Sequence, residues 1–348
     1  MKKILIILII LLSFFEAFSS EAQKITISPK GCSYEKLKSK DNKIVTLKHN
    51  IYNNHKIIFN YKNNCYKSYN GILSLDYTGD KIALSVSCKY NGKESKNQYY
   101  RTLIIISSKD EKDIISFNHG SIYSFSPDGN AIVYAEDYIG ETGSAIPPGY
   151  QGGLWLYDFN TKTKKRIDTL GVVTGGDYRP QDVNWSAHDG NIYYTDYDKV
   201  FQFNVKASKG EIVPYKGIYF SPDGKYYVGT PYEVGTNYLY RTSDNREMVE
   251  WETTIKAVNK DSDYIYFEFW SKKLNAVIFR ISNTENVIFD VGKGKVIGKF
   301  YGGVLGTNAD GSLVAVNPVK EDNKNTYDQT QVEIINLQEV ICKYKSGK

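Results

Sequence analysis

The sequence is poor in the residues and runs that helices, zinc sites and membrane spans require. Of 348 residues only two are Met and four are Cys, and Ala and Leu are also scarce, so helices have little support. The cysteines form no Cys-x-x-Cys or Cys/His cluster, which excludes the common zinc motifs. Beyond residue 15 no segment is apolar for long enough to cross a bilayer. The net charge of +5 is spread along the chain, so it does not form the basic patch that nucleic-acid binding requires.

The N-terminus has the three parts of a secretory signal peptide. A lysine pair precedes an apolar run over residues 4–15, and small residues follow up to Ala22. We expect removal of residues 1–22, which leaves 23–348 as a secreted or periplasmic protein; an uncleaved membrane anchor is the alternative. Gln23 at the new terminus and a single glycosylation sequon, placed on a predicted inner strand, favour a bacterial source, with a eukaryotic secreted protein as the alternative.

The four cysteines are compatible with disulfides in an exported protein. They are Cys32, Cys65, Cys88 and Cys342. An even count allows two bridges, but the spacing leaves the connectivity open. A bridge from Cys342 to Cys32 or Cys65 would tie the two ends of the chain together.

Aromatic residues are abundant and indicate strands. Thirty Tyr, fifteen Phe and four Trp suit the pleated, half-buried surface of a sheet. One phrase, made of an alternating strand, a Ser-Pro-Asp-Gly turn and a second alternating strand, occupies residues 121–135. It returns almost unchanged at 220–228, with one inserted residue at 185–194, and more loosely at 75–84, 269–278 and 305–315. A supersecondary unit that returns in this way indicates a repeat architecture.

Further strand-like runs follow the turn phrases. The unit is therefore four short antiparallel strands in roughly 35 to 60 residues, the proportions of a propeller blade. Six units can be marked: 71–117, 118–171, 182–216, 217–254, 257–300 and 302–346. The segment 24–70 is either a degenerate seventh blade or the part that closes the ring. The sequence predicts an all-β fold, a β-propeller of six to seven four-stranded antiparallel blades, formed as one domain by residues 23–348.

The turn phrases also resemble those of a known family. The Ser-Pro-Asp-Gly runs at 126–129 and 221–224, each followed by an alternating strand, are similar to the repeats of TolB-type propellers. Similar repeats occur in the propeller domains of prolyl oligopeptidase-type peptidases. The resemblance implies the fold over nearly the whole mature chain, but propellers host unrelated activities. We expect no peptidase domain, since a Gly-x-Ser-x-Gly elbow is missing, and no N-terminal domain of the Tol-system type, since 24–70 is too short.

The aspartates of the turn phrases are predicted to be structural. Pro presets φ at the first corner of such a turn, Asp bonds its own backbone, and Gly accepts a positive φ. We therefore expect folding roles rather than catalysis for four residues: Asp128, Asp189, Asp223 and Asp310.

Long connections fall on the opposite face of the predicted ring. In a four-stranded blade the turn phrases share one face, whereas the second-to-third and the inter-blade connections share the other. Five long segments belong there: 89–98, 136–152, 172–182, 230–237 and 318–330. Connections of this length are more often functional or disordered than structural. They supply the predicted ligand-binding residues: Asp137, Glu141, Tyr150, Asp177, Tyr178, Arg179, Asp182 and Glu233.

Two kinds of function are compatible with this face. The first is a binding or scaffold module for a protein, peptide or glycan, because Tyr and Arg anchor interfaces and Tyr offers a flat face to sugars and peptides. The second is a secreted hydrolase or lyase acting on a sugar or lactone, with acids at the channel mouth holding a divalent metal such as calcium. A polar rim without a ligand is the remaining alternative. We expect binding rather than catalysis, and no nucleic-acid partner.

Overall fold

The fold comes from a computed structural model. It describes residues 25–27, 33–35, 68–78, 81–89, 99–107, 114–118, 120–136, 153–167, 182–196, 199–229, 237–258, 265–320, 326–328 and 333–347. The predicted signal peptide and most of the long connections lie outside these residues.

Antiparallel sheets, with strands paired in chain order, account for most of the described chain. A two-stranded sheet comes first, with β1 (Ile25–Ile27) and β2 (Ser33–Glu35). Sheet 1 contains β3 (Ser68–Thr78), β4 (Lys81–Lys89), β5 (Tyr99–Ser107) and β6 (Ile114–Asn118). Sheet 2 contains β7 (Gly120–Phe125), β8 (Ala131–Glu136), β9 (Gly153–Asp158) and β10 (Thr163–Arg166). Sheet 3 contains β11 (Asp182–Trp185), β12 (Ile192–Asp196), β13 (Lys199–Asn204) and β14 (Lys209–Val213).

The second half of the chain repeats the arrangement and adds two helices. Sheet 4 contains β15 (Tyr219–Phe220), β16 (Tyr226–Gly229), β17 (Tyr238–Arg241) and β18 (Arg246–Glu247), and is followed by α1 (Glu250–Lys256). Sheet 5 contains β19 (Tyr266–Ser271), β20 (Ala276–Arg280), β21 (Glu285–Asp290) and β22 (Lys295–Tyr301). Sheet 6 has three strands, β23 (Gly303–Thr307), β24 (Leu313–Asn317) and β25 (Glu333–Asn336), and leads into α2 (Leu337–Ser346).

The middle strands of the sheets are buried on both faces. In β20, Val277, Ile278 and Phe279 are all 0% exposed, although consecutive strand residues point to opposite faces. Both faces must therefore be covered by protein, as in a stack of blades. The outermost strands β10 and β14 are mostly exposed, and their lysines suit an edge that is open to solvent.

Hydrophobic clusters join each sheet to the next. Five clusters lie between sheets 1 and 2, 2 and 3, 3 and 4, 4 and 5, and 5 and 6. The innermost strand of the last sheet, β23, contacts the innermost strand of the first, β3. The six sheets therefore close into a ring, which makes the fold a β-propeller and leaves no open sheet face at the seam.

The Ser-Pro-Asp-Gly turns have the structural role that the sequence predicts. Ser126 N donates to Ala131 O at 2.9 Å, and Gly129 has φ of 71°. The Asp128 carboxylate accepts hydrogen bonds from Ser126 Oγ at 2.6 Å and from Asn130 N at 3.0 Å. The aspartates of the other three turns accept equivalent bonds: Asp189, Asp223 and Asp310. These bonds shape the hairpins.

The predicted number of four-stranded blades is wrong for the described residues. They hold five four-stranded sheets and one of three strands, not six to seven four-stranded blades. The fourth strand that was predicted for the last unit is α2, which packs Leu337 and Ile341 into the cluster between sheets 5 and 6. Most of the segment 24–70, predicted as a seventh blade or a ring-closing part, lies outside the described residues.

Helix α1 also replaces part of a predicted strand. Residues 247–251 belong to the strand-like runs of the sequence, but only Arg246–Glu247 forms β18, and the helix begins at Glu250. Trp251 and Ile255 are four residues apart and both buried, which is the spacing of one helical face. Trp251 stacks on Phe279 with ring centroids 4.8 Å apart. Neither described helix has the length and apolar composition needed to span a bilayer.

The disulfide pairing stays a prediction. Cys342 is buried in α2, and Cys88 belongs to β4. Cys32 and Cys65 lie outside the described residues. Helix α2 contacts β2, which begins one residue after Cys32, so the contact favours the predicted link between the two chain ends.

Candidate functional site

A cavity of about 710 Å³ lies on the axis of the ring. Its described lining comes from the innermost strands of five sheets, β7, β11, β15, β19 and β23, and from the turns that follow them. These strands belong to different blades, so the cavity is the central channel of the propeller. Channels and the loops around their mouths are the usual ligand sites of such rings.

The two ends of the channel differ. All five innermost strands run in the same direction and end in the turns of the Ser-Pro-Asp-Gly type, which form what we call the turn face. They begin at the opposite end, which we call the loop face because the long predicted connections lie there. Asp182 and Glu268 line the channel near the loop face, whereas Pro127, Pro222 and Lys272 line it at the turn face.

Asp182 is the first residue of β11 and is bonded across a blade junction. Its carboxylate accepts hydrogen bonds from the hydroxyl of Tyr219, at the start of β15, and from Val183 N at 2.9 Å. Burial raises the pKa of Asp182 to about 6, although both hydrogen bonds lower it. Burial, together with the Asp182 charge, also raises the pKa of Tyr219 above its ordinary range, so the phenol stays protonated and donates.

Glu268 enters the channel through a β-bulge. In the β19–β20 pair, Phe267 opposes Phe279 and Phe269 opposes Ile278, so Glu268 is the extra residue. A bulge redirects the side chain of the extra residue, and Glu268 lines the channel. Its Oε1 forms an ion pair with Arg280 Nε at 2.9 Å. Burial nevertheless raises the pKa of Glu268 to about 7, against the lowering effect of the Arg280 charge.

Aromatic side chains form much of the channel wall, among them those of Tyr219, Phe267 and Trp270. The rings of Tyr219 and Phe267 are tilted against each other with centroids 4.5 Å apart. Trp270 Nε1 of sheet 5 donates a hydrogen bond to Tyr219 O of sheet 4 at 2.9 Å. Trp185 N of sheet 3 donates to Ser124 Oγ of sheet 2, also at 2.9 Å. These bonds join innermost strands of neighbouring sheets, so the lining is held by the ring itself rather than by mobile side chains.

The loop-face end of sheet 5 presents two exposed tyrosines. Tyr266 starts β19 and is 38% exposed, and Tyr301 ends β22 and is 56% exposed. Arg280 lies 4.9 Å from the ring centroid of Tyr266, and Lys299 lies 5.9 Å from that of Tyr301. Each cation–π contact restrains the side chains of the tyrosine and of the basic residue. A partner that binds here would therefore lose less side-chain entropy.

Of the eight ligand-binding residues predicted from the sequence, Asp182 lines the channel. The other seven predicted ligand-binding residues lie outside the described residues: Asp137, Glu141, Tyr150, Asp177, Tyr178, Arg179 and Glu233. The sequence analysis missed Tyr219, Glu268, Tyr266 and Tyr301. Each of the four lies at or near the loop-face end of an innermost or outermost strand, and this shared position is the signal that could have found them.

A metal site is not formed by the described part of the chain. Within it, no three side chains of His, Cys, Asp or Glu come together as metal ligands would. The carboxylate of Asp182 is occupied by Tyr219 and that of Glu268 by Arg280. Calcium at the channel mouth thus stays a prediction that depends on the loop residues.

No protein-family model matches the chain, and no curated protein is found as a sequence relative. Several solved propellers are similar in structure. The propeller domain of the Trilobed protease from Pyrococcus furiosus, described as having an open velcro topology, is 15% identical with a TM-score of 0.43 and covers 77% of this chain and 97% of that one. A chain of a nidogen/laminin complex is 10% identical with a TM-score of 0.41, over 66% and 79%. An acylaminoacyl peptidase is 11% identical with a TM-score of 0.40, over 71% and 48%. At these values no ligand, partner or activity is carried over to this chain.

Proposed function

We propose that the protein is an exported binding propeller whose loop face contacts a protein, peptide or glycan partner. The observation that carries the proposal is the concentration of exposed tyrosines and channel carboxyls at one end of the ring. The export signal of the sequence and the long connections on the same face support it.

The loop face has the composition of a contact surface. Tyr and Arg are the residues that most often anchor interfaces, because they combine a large apolar area with hydrogen-bonding groups. Tyr266 and Tyr301 present such area to solvent at one end of sheet 5, beside Arg280. At the turn face, by contrast, the polar groups of the turns bond one another and leave little for a partner.

Photocross-linking can test which face makes the contact. A photoreactive phenylalanine analogue is placed at Tyr301 on the loop face or at Lys206, which is exposed in the connection between β13 and β14 at the turn face. The full mature protein is then irradiated with an extract of the source cells and with arrays of peptides and glycans. We expect a discrete adduct from position 301 and none from position 206. Equal labelling from both positions, or from neither, would contradict the proposed contact face.

A second candidate function is supported by the two channel carboxyls. A group with a pKa of about 7, as for Glu268, can both accept and donate a proton at neutral pH, which is what general acid–base catalysis needs. Asp182, with a pKa of about 6, would be its partner in a hydrolase or lyase. If loop acids also hold calcium, EDTA lowers the melting temperature of residues 23–348 and added calcium restores it. A melting temperature that EDTA leaves unchanged removes the metal-dependent form of this alternative.

A further inference from the structure

The channel wall offers aromatic surface that the described chain covers only in part. Five aromatic residues of the innermost strands β11, β15 and β19 are half-buried and line the channel: Trp185, Tyr219, Phe267, Phe269 and Trp270. Neighbouring sheets pack against both faces of these strands, so the exposed part of these residues faces the channel. Aromatic area in contact with water costs free energy, and a ligand with an apolar face would remove that cost.

Two of these residues are tryptophans whose polar atom is already bonded inside the protein. Trp270 Nε1 donates to Tyr219 O at 2.9 Å, and Trp185 Nε1 donates to Gly190 O at 3.0 Å. Each bond fixes the orientation of its indole ring and leaves ring carbons, rather than the N–H, for a ligand. The two rings are therefore preorganised for stacking.

A carboxyl lies on the same strand as one of these rings. Glu268 is the extra residue of the β19 bulge and lines the channel two residues before Trp270, at most about 7 Å away along the strand. Arg280 Nε pairs with Glu268 Oε1, and a carboxylate accepts several hydrogen bonds through its two oxygens. A ligand that stacks on Trp270 therefore has a hydrogen-bond acceptor nearby.

We propose that the channel binds one or more uncharged sugar rings of a glycan, stacked on the aromatic wall and hydrogen-bonded to Glu268. A pyranose has flat faces of C–H groups and a rim of hydroxyls, so it offers both the apolar area and the donors that this wall accepts. The inference rests on the proposed function, since it selects the glycan among the proposed partners and places one end of it in the channel.

The size of the cavity and the pairing of its two features favour a sugar. A volume of about 710 Å³ lies within the range of small-ligand pockets, roughly 300 to 1,000 Å³. An aliphatic peptide could also pack on the rings, but its side chains bring no donor for Glu268. Every pyranose carries an apolar face and hydroxyls together, so the wall favours the glycan, and the peptide is the alternative that the test includes.

Ionisation of Glu268 should strengthen the binding of such a ligand. Burial raises the pKa of Glu268 to about 7, against the lowering effect of the Arg280 charge. Hydrogen bonds to an ionised carboxylate are stronger than those to a neutral carboxyl, and an uncharged sugar has no proton to exchange in this range. Asp182 of β11 also lines the channel, and burial raises its pKa to about 6, so a Glu268 variant is needed to assign the effect.

The test titrates uncharged trisaccharides into the mature full chain. Cellotriose, mannotriose and triacetylchitotriose are compared by calorimetry with N-acetyl-trialanine amide, an uncharged peptide, at pH 5.5 and 8.5. We expect at least one trisaccharide to bind at pH 8.5 and to bind about fivefold more weakly at pH 5.5, the difference between a charge-assisted and a neutral hydrogen bond. Binding of none of the trisaccharides, or equal or tighter binding of the peptide amide, would overturn the proposal.

Matched tryptophan variants locate the sugar. Trp270→Leu removes a channel ring and should weaken trisaccharide binding about fivefold. Trp155→Leu makes the same change in β9, outside the described channel lining, and should bind like the wild type. The tryptophan emission of the Trp155→Leu protein should still respond to the sugar. Melting curves confirm that each variant is folded, and equal binding by the two folded variants would contradict the site.

Glu268→Gln assigns the polar contact. The amide keeps the shape of the side chain but not the charge, so binding at pH 8.5 should fall about fivefold and the difference between pH 5.5 and 8.5 should disappear. A folded Glu268→Gln protein that keeps the affinity and pH dependence of the wild type would contradict the role of this carboxyl. If the variant does not fold, the tryptophan pair decides. If position 301 cross-links a partner while no trisaccharide binds, the proposed function stands and this inference fails.

Discussion

The two faces of the ring use the same residue type in opposite ways. At the turn face, Asp128 accepts three hydrogen bonds, from Ser126 Oγ, Asn130 N and Asn130 Nδ2, and the first of these has the largest effect in lowering its pKa. At the loop face, Asp182 accepts two, and burial raises its pKa to about 6. The balance between donors and burial, not the residue type, therefore decides whether ionisation of an aspartate stabilises or destabilises the fold.

This balance has a consequence for function. A turn aspartate contributes most to folding when it is ionised, because its donors are already in place. A channel carboxyl costs free energy when it is ionised, because the surrounding walls replace water without supplying enough donors. Residues that cost stability in the free protein are typical of sites that a ligand completes.

The largest expected effect concerns the rigidity of the turn face. Gly311 in the β23–β24 turn has φ of 63°, and an added Cβ would lie 2.7 Å from the backbone Cα of Ser271 in sheet 5. Gly311→Ala should lower the free energy of unfolding by about 3 kcal/mol, since it combines backbone strain with overpacking. Gly294→Ala is the matched control, because Gly294 has φ of 59° with nothing within 4 Å, and should cost about 1 kcal/mol. Urea unfolding measures both; equal losses would show that the two sheets do not meet tightly at this turn.

The next effect tests the cost of the channel charge. The folded pKa of Asp182, about 6, lies above the value of about 4 expected in the unfolded chain. Between these values the folded state holds a proton that the unfolded state has lost, so this contribution to stability is present below pH 4 and is lost as the pH rises to 6. Asp182→Asn should be more stable than the wild type by about 2.7 kcal/mol at pH 8 and equal to it near pH 4. A constant difference from pH 4 to 8 would contradict the raised pKa.

Replacing a turn aspartate should lower the free energy of unfolding at neutral pH, whereas Asp182→Asn should raise it. Burial alone would raise the pKa of Asp223, but the hydrogen bonds from Ser221 Oγ and Lys225 N, aided by Asn275 and by the Lys225 charge, lower it overall. Its contribution is therefore present above pH 4 and lost as the pH falls below it. Asp223→Ala should cost about 1 kcal/mol at pH 7 and less at pH 3. Glu247→Gln, on the exposed β18, serves as the control and should change stability by less than about 0.5 kcal/mol.

The hairpins at the turn face could be predicted because their signal is local. Ser, Pro, Asp and Gly act within a few residues of one another, so the sequence shows the turn directly. The two helices were missed because they are short, with 7 and 10 residues. In α1 only Trp251 and Ile255 mark the buried face, and only their packing against sheet 5 makes the helical spacing decisive. In α2 the Asn336 side chain caps Gln338 N at 3.0 Å, a short signal at the end of a strand.

The channel site was only partly predictable for the opposite reason. Asp182 could be picked out as an acid at the end of a long connection. Glu268 lies between aromatic residues in β19, and no local pattern shows that a bulge turns it into the channel. The raised pKa of both carboxyls depends on walls from five sheets, which are far apart in the sequence. A site of this kind is visible only after the ring has closed.

The smallest expected effect separates contact residues from folding residues at the loop face. Tyr301 is 56% exposed, whereas its neighbour Phe300 is 4% exposed and packs between sheets 5 and 6. Tyr301→Ser should change the free energy of unfolding by less than about 0.5 kcal/mol, as surface substitutions do, while Phe300→Ala should cost about 3 kcal/mol or more. If Tyr301 is kept for a partner, its replacement should weaken partner capture without altering the urea midpoint. A loss of stability above about 1 kcal/mol would instead assign Tyr301 to the fold, and the contrast between the two faces would then rest on the channel carboxyls alone.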